Sequence, residues 1–210
     1  MTIQIETITL GPLENNTIVL LDKTSKTAAV VDPSYGADAI LEPITKEGFV
    51  LSLILLTHAH FDHIAGAAAL SNSAIPNIPV HMHADDLPLW QQEGGAPDFG
   101  FHIELCDTVL TDLVDGQIIP FGGEEIHVYH TPGHTRGHVI FHLPSIQTAL
   151  VGDLIFREGV GRTDLPGGNG RQLIQSIRSK VLTLPPATIL IPGHGPSTTV
   201  EYEMRRNPFL

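Results

Sequence analysis

The chain has 210 residues, 42% of them hydrophobic and 16% charged, a composition that supports a well-filled core, and residues 1–210 are expected to form a single domain. Acidic side chains outnumber basic ones 23 to 11, for a formal net charge of −12, and the longest basic cluster is the pair Arg205-Arg206. That balance argues against a nucleic-acid partner, which needs a basic patch, and no apolar run nears the ~18 residues of a membrane span.

The first residues, Met1 to Thr7, lack the basic end and apolar stretch of a secretory leader, and the lone cysteine, Cys106, cannot close an internal disulfide. A cytoplasmic protein without a membrane partner is the expectation; nothing in the sequence fixes its oligomeric state. In chain order, a β-rich run at 27–31 ends on Asp32, and residues 37–47 read as an amphipathic helix with Ile40, Leu41 and Ile44 on one face and Gly48 as its stop. A second apolar run, ending in a strand over 53–56, discharges into Thr57-His58-Ala59-His60-Phe61-Asp62-His63, with an Ala-rich helix expected over 64–70. Residues 92–108, holding Gly94, Gly95, Pro97 and Gly100, read as a mobile loop near the site, and Cys106 within them as a buried small hydrophobe. Strands over 125–129, 148–151 and 188–191 lead through Gly/Pro turns to His134, Asp153 and His194, with a helix over 171–181 between the last two. If these strand ends lie along one edge, their His and Asp residues converge.

Those residue types suit metal ions. In an extended turn His58 and His60 are two apart and project to one side, so both can grip one ion. Asp62 and His63 are adjacent and diverge from that direction, which fits a second ion. His134 can complete the first set and His194 the second, while Asp153 offers two oxygens to bridge them. The expected cofactors are two divalent ions, zinc first, with iron or manganese also accommodated by imidazole and carboxylate donors. Asp62 and Asp153 are the carboxylates of the catalytic centre, where a hydroxide bridging the metals is the expected nucleophile. His130 and His138 read as residues that support the ligands or pack, and Asp32 either caps a turn or orients a ligating histidine. His81, His83, His102, His127 and His142 have no convergent partners in sequence and are expected to be structural. No Gly-x-Ser-x-Gly elbow, Walker loop, His-Glu-x-x-His helix or Rossmann fingerprint is present.

Asp32, the His58–His63 motif, His134 in HTPGHT, Asp153 in VGD and His194 in PGH occur in the order seen in the metallo-β-lactamase superfamily, which the chain resembles over nearly its whole length. Gly152 to Phe156, the loop Gly161 to Gly168 and the ending Asn207-Pro208-Phe209-Leu210 look like the short glyoxalase II-like hydrolases. The resemblance implies an αββα sandwich, two packed mixed sheets flanked by helices, with the seven ligands divided as above. It also implies a hydroxyacylglutathione hydrolase-like thioesterase whose small-molecule partner is an acylated thiol such as S-D-lactoylglutathione. Arg162 falls where such enzymes have a basic substrate-binding residue. The extra C-terminal helical domain of full-length glyoxalase II enzymes is not expected. Asp153 stands where the commonest zinc β-lactamases have Cys, so antibiotic hydrolysis is not expected as the main activity. The alternatives are a non-haem iron persulfide dioxygenase and a non-catalytic metal-binding protein.

Overall fold

Strands buried on both faces set the architecture. The structure, a computed structural model, describes residues 3–74 and 76–210. Six strands follow chain order across the first sheet: β1 (Ile3–Leu10), β2 (Asn15–Asp22), β3 (Thr27–Val31), β4 (Val50–Leu55), β5 (Val80–His83) and β6 (Val109–Leu113). β1 to β3 pair antiparallel and β3 to β6 parallel. The parallel crossovers carry α1 (Leu41–Lys46), α2 (Phe61–Ile64), α3 (Ala67–Ser71) and α4 (Leu87–Trp90). The second half supplies β7 (Ile118–Phe121), β8 (Glu124–His130), β9 (Val139–Leu143), β10 (Thr148–Gly152), the small hairpin β11 (Ile155–Phe156) and β12 (Gly159–Val160), α5 (Gly170–Ser176), β13 (Ile189–Pro192), β14 (Thr198–Thr199) and α6 (Val200–Arg206). Its main sheet runs β14-β13-β10-β9-β8-β7, with β10 and β13 parallel and the other pairs antiparallel.

Period-two alternation distributes each strand between two cores. On β2, Ile18 and Leu20 face the second sheet while Val19 and Leu21 face the helices; on β10, Leu150 faces the first sheet and Ala149 and Val151 face α5. Between the sheets lie Leu20, Val31 and Leu55 from one side and Val128, Phe141 and Leu150 from the other. Outside, α1 to α4 cover the first sheet, and α5 and α6 cover the second. This is the αββα sandwich. Each fully buried Leu, Ile or Phe contributes ~1.5–3 kcal/mol by leaving water.

Three expected elements differ in detail. The helix expected over 37–47 begins as a tighter turn at Ala37–Ile40 before α1. The helical stretch expected over 64–70 begins three residues earlier, as α2, and is split from α3. Residues 92–108, expected as a mobile loop, include a short 3-10 segment, Glu93–Phe99, with Gly94 and Gly95 at φ 63° and 81°. A Cβ on Gly94 would sit 2.4 Å from the Phe61 amide nitrogen, so only glycine lets this segment close onto α2. Cys106 is buried, as expected. Among the described residues no helix is long and apolar enough to cross a membrane.

Candidate metal centre

Strand ends from both sheets meet at one edge, where hydrogen bonds stitch the sheets together. The Asn16 amide donates to the Gly193 carbonyl at 2.7 Å, and the Val139 amide to the Thr57 carbonyl at 2.8 Å. The histidine loop leaves β4, and His60 keeps an extended backbone (φ −68°, ψ 146°) just before α2 begins. Asp62 and His63 therefore diverge because successive residues turn about 100° around a helix, not through strand-like alternation.

Among the described residues, two of the groups of three converging donors are made entirely of predicted ligands. His58, His60 and His134 bring one nitrogen each within 4.8 Å of one another, and Asp62, His63 and His194 do the same with their donor atoms. Asp153 lies between them: Oδ2 is 3.6 Å from His134 Nε2, and Oδ1 is 3.4 Å from His63 Nε2. His194 Nε2 stands 3.1 Å from Asp62 Oδ2 and 3.7 Å from Asp153 Oδ2. All seven predicted donors are thus brought together.

Their orientation is set from behind. His58 Nδ1 donates to Thr57 Oγ1 at 3.0 Å, Thr57 Oγ1 donates to Asp32 Oδ2 at 2.6 Å, and His63 Nδ1 donates to the same oxygen at 3.0 Å. One carboxylate thereby fixes the orientation of two imidazoles, directing both Nε2 atoms into the site. Asp32 holds a left-handed backbone (φ 51°), a conformation kept at a cost of about 1 kcal/mol or more for this placement. Of its two expected roles, orienting a histidine is the one the geometry displays. His134 Nδ1 donates to the Arg162 carbonyl at 2.8 Å, directing its Nε2 into the site.

Electrostatics separate the two groups. Burial, reinforced by neighbouring imidazoles, holds His58 well below the usual histidine range and lowers His60 to about 3. Burial works against charge on His63 too, yet the Asp62 and Asp153 carboxylates raise it well above that range. Asp153 is held far below the carboxylate range: burial alone would raise it, but His63, His134 and His194 overcome that.

The side chains fit divalent cations. His58 Nε2, His63 Nε2 and Asp153 Oδ1 are buried without a hydrogen-bond partner, which costs ~1–3 kcal/mol per group unless something else satisfies them. They are hard or borderline donors with no thiolate among them, a set suited to zinc, iron or manganese.

The remaining predicted residues part ways. His138 stacks on His58 at 5.2 Å between centroids and hydrogen-bonds Thr131 through Nδ1, so it packs behind a donor. His130 does not reach the centre; it stacks on His83 at 4.0 Å and donates through Nε2 to the Arg136 carbonyl at 2.9 Å. His83, expected to lack partners, is that partner, because β5 and β8 end side by side across the two sheets. Their rings are nearly parallel, 9° apart, and one nitrogen of each lies, with a carboxylate oxygen of Asp85, within 4.8 Å of the others. The Arg162 guanidinium forks onto Asp164 at 2.8 and 2.7 Å and is half-exposed.

Sequence reasoning missed Asp86. It is 2% exposed and accepts from the Ala59 amide (3.0 Å), Thr135 Oγ1 (2.8 Å) and the Gly137 amide (2.6 Å), tying the His58–His63 loop to the His134 loop. Asp85 beside it is exposed, and nothing in His83-Ala84-Asp85-Asp86 distinguishes the two. Asp86→Ala strands three donors, two of them backbone amides, and is expected to destabilise the protein by about 3 kcal/mol. It is also expected to lower metal content; urea unfolding with elemental analysis reads both, and wild-type values would refute the role. Gly193 is a second silent requirement: a Cβ there would lie 2.3 Å from Asp153 Oδ1 and 2.5 Å from His63 Cε1.

This fold and its paired His/Asp groups define a metal-binding hydrolase scaffold. The chain belongs to the metallo-beta-lactamase superfamily, whose family model matches residues 10–194. It is 35% identical over 214 residues to hydroxyacylglutathione hydrolase GloC of Haemophilus influenzae, covering 98% of this chain and 97% of that one. Among solved structures it is similar to TTHA1623 in a di-iron-bound form (38% identity, TM-score 0.87, 98% and 100% of the two chains). It is similar also to the BLEG-1 B3 metallo-beta-lactamase (36% identity, TM-score 0.87, 99% of each chain).

Proposed function

We propose that the protein is a dinuclear metal-dependent hydrolase of thioesters, acting on S-D-lactoylglutathione or a similar acylated thiol. The observation that carries this is Asp153, whose two oxygens lie 3.4 and 3.6 Å from nitrogens of the two separate donor groups, an arrangement suited to sharing between two cations. The 35% identity to a hydroxyacylglutathione hydrolase over almost the full chain supports the substrate class.

His58, His60 and His134 would hold one ion, Asp62, His63 and His194 the other, and Asp153 both. Bound there, divalent ions would lower the pKa of water from 15.7 towards ~7 and polarise a carbonyl oxygen. The protein's own part is positional: Asp32 and the Arg162 carbonyl keep His58, His63 and His134 aimed, and burial keeps His58 and His60 neutral and able to donate lone pairs. Thiols ionise near pKa ~8.5, so a thiolate can leave without a general acid. No side chain of the floor need be reserved for that proton.

Elemental analysis followed by assay of the same sample on S-D-lactoylglutathione tests the reading. Two ions per chain with thioester cleavage are expected. One iron per chain with persulfide-dependent oxygen uptake would replace it with a dioxygenase. Cleavage of β-lactams in preference to thioesters would move it towards the B3 relative. Full metal loading without turnover on any of these would leave a non-catalytic metal-binding protein.

A further inference from the structure

Above the donor groups opens a cavity of about 500 Å³, floored by His60, Asp62, His134, Asp153 and His194. Two arginines line it, Arg136 and Arg162. We infer that Arg136, rather than Arg162, reads an anionic group of the substrate, and that the substrate joins this anionic end to an apolar one seated on Phe61, Phe99 and Phe101. This rests on the thioesterase reading and narrows its substrate class to amphiphilic, carboxylate-bearing thioesters.

The two guanidinium groups are not equivalent. Arg162 is forked through Nε and Nη2 onto Asp164, two residues away, whose carboxyl it holds down at about 2. A substrate carboxylate would have to displace a partner already tethered within reach. Arg136 is exposed, and among the described residues its guanidinium meets no hydrogen-bond or ion-pair partner. Its backbone is nonetheless held firmly. The Arg136 carbonyl accepts from His130 Nε2, and the flanking Thr135 hydroxyl and Gly137 amide both bind Asp86. The stem passes close to Gly167, where a Cβ would come within 3.5 Å of Arg136 Cγ. A fixed base carrying an unpaired fork two residues beyond His134 is a pre-organised carboxylate receptor. This also gives His130 a task, positioning Arg136.

The apolar end follows from the other half of the chain. The Phe61 ring lies 5.5 Å from Phe99 and 5.6 Å from Phe101, nearly parallel to the latter. Phe99 and Phe101 are 51% and 36% exposed on this cavity, although Phe61 beneath them is buried. The close fit of Gly94 on Phe61 holds that wall in place. Exposed aromatic surface within a cavity gains from covering by an apolar group.

The test measures binding without turnover, by titration calorimetry of the metal-loaded protein. The probes are S-hexyl-3-mercaptopropionate (one carboxylate), S-hexyl-N-acetylcysteamine (uncharged) and S-methyl-3-mercaptopropionate (no apolar chain). The carboxylated hexyl thioether is expected to bind tightest, at least ~10-fold better than either other probe. Arg136→Ala is expected to weaken it ~10-fold while leaving the uncharged probe unchanged, and Arg162→Ala to change it less than about twofold. The inference is overturned if Arg136→Ala has no effect, if Arg162→Ala has the larger one, if the methyl probe binds as well as the hexyl, or if the carboxylated hexyl probe does not bind. Failure of the thioesterase reading shows separately, as expected thioether binding with no cleavage of the corresponding hexanoyl thioesters.

Discussion

Asp153→Ala is expected to lower turnover by at least ~10³-fold and to leave no more than one metal ion per chain. Removing a group that merely supports a ligand typically costs 10–100-fold, and Asp153 stands against both donor groups at once. Its oxygens lie 3.4 to 3.7 Å from His63, His134 and His194, so alanine deletes an anion from beside three imidazoles. Two divalent cations without that shared carboxylate would also repel one another more strongly. Asp153→Asn preserves the shape and removes the charge, and is expected to retain more metal than alanine but little activity. Elemental analysis and initial rates on one preparation decide the matter: full metal content and wild-type turnover in Asp153→Ala would end the two-ion assignment.

Chelation is expected to have the second large effect, on stability. An ion that binds only the folded chain adds ~4 kcal/mol when present at a thousand times its dissociation constant. For a chain of this size each kcal/mol moves Tm by ~2–4 °C, so losing one such ion should lower Tm by about 8–16 °C. The physical source is local. His58 Nε2, His63 Nε2 and Asp153 Oδ1 are buried with no hydrogen-bond partner from the protein, and only a cation or comparable partner satisfies them together. Scanning calorimetry before and after EDTA treatment, then after restoring zinc, measures the shift. An unchanged Tm in a sample shown to have lost its metal would mean that these donors do not bind the ion.

The same geometry separates residues whose surroundings the sequence leaves open. Arg162 lies in a loop resembling a substrate-binding segment, yet its fork is occupied by Asp164 and its carbonyl is what touches a donor, through His134. His130 and His138 flank His134 at equal spacing, but only His138 packs on a donor; His130 belongs to the Arg136 carbonyl and the His83 ring. Spacing fixes neighbours along a strand and turn, and says nothing about which elements of the other sheet arrive beside them.

What the sequence by itself determined is local and chemical. The donor types, the His58–His63 spacing and the five strand-to-loop transitions ending on Asp32, His58, His134, Asp153 and His194 follow from residue identity and period-two alternation. Tertiary structure decided the rest. His63 meets Asp32 across 31 residues once β3 and β4 pair within the first sheet, while His60 meets His134 across 74 and Thr135 meets Asp86 across 49 only once the two sheets are stacked and their ends aligned. Asp86 and Asp85 are identical to any local rule, because burial and the number of donors aimed at a carboxylate are properties of packing, not of the residue.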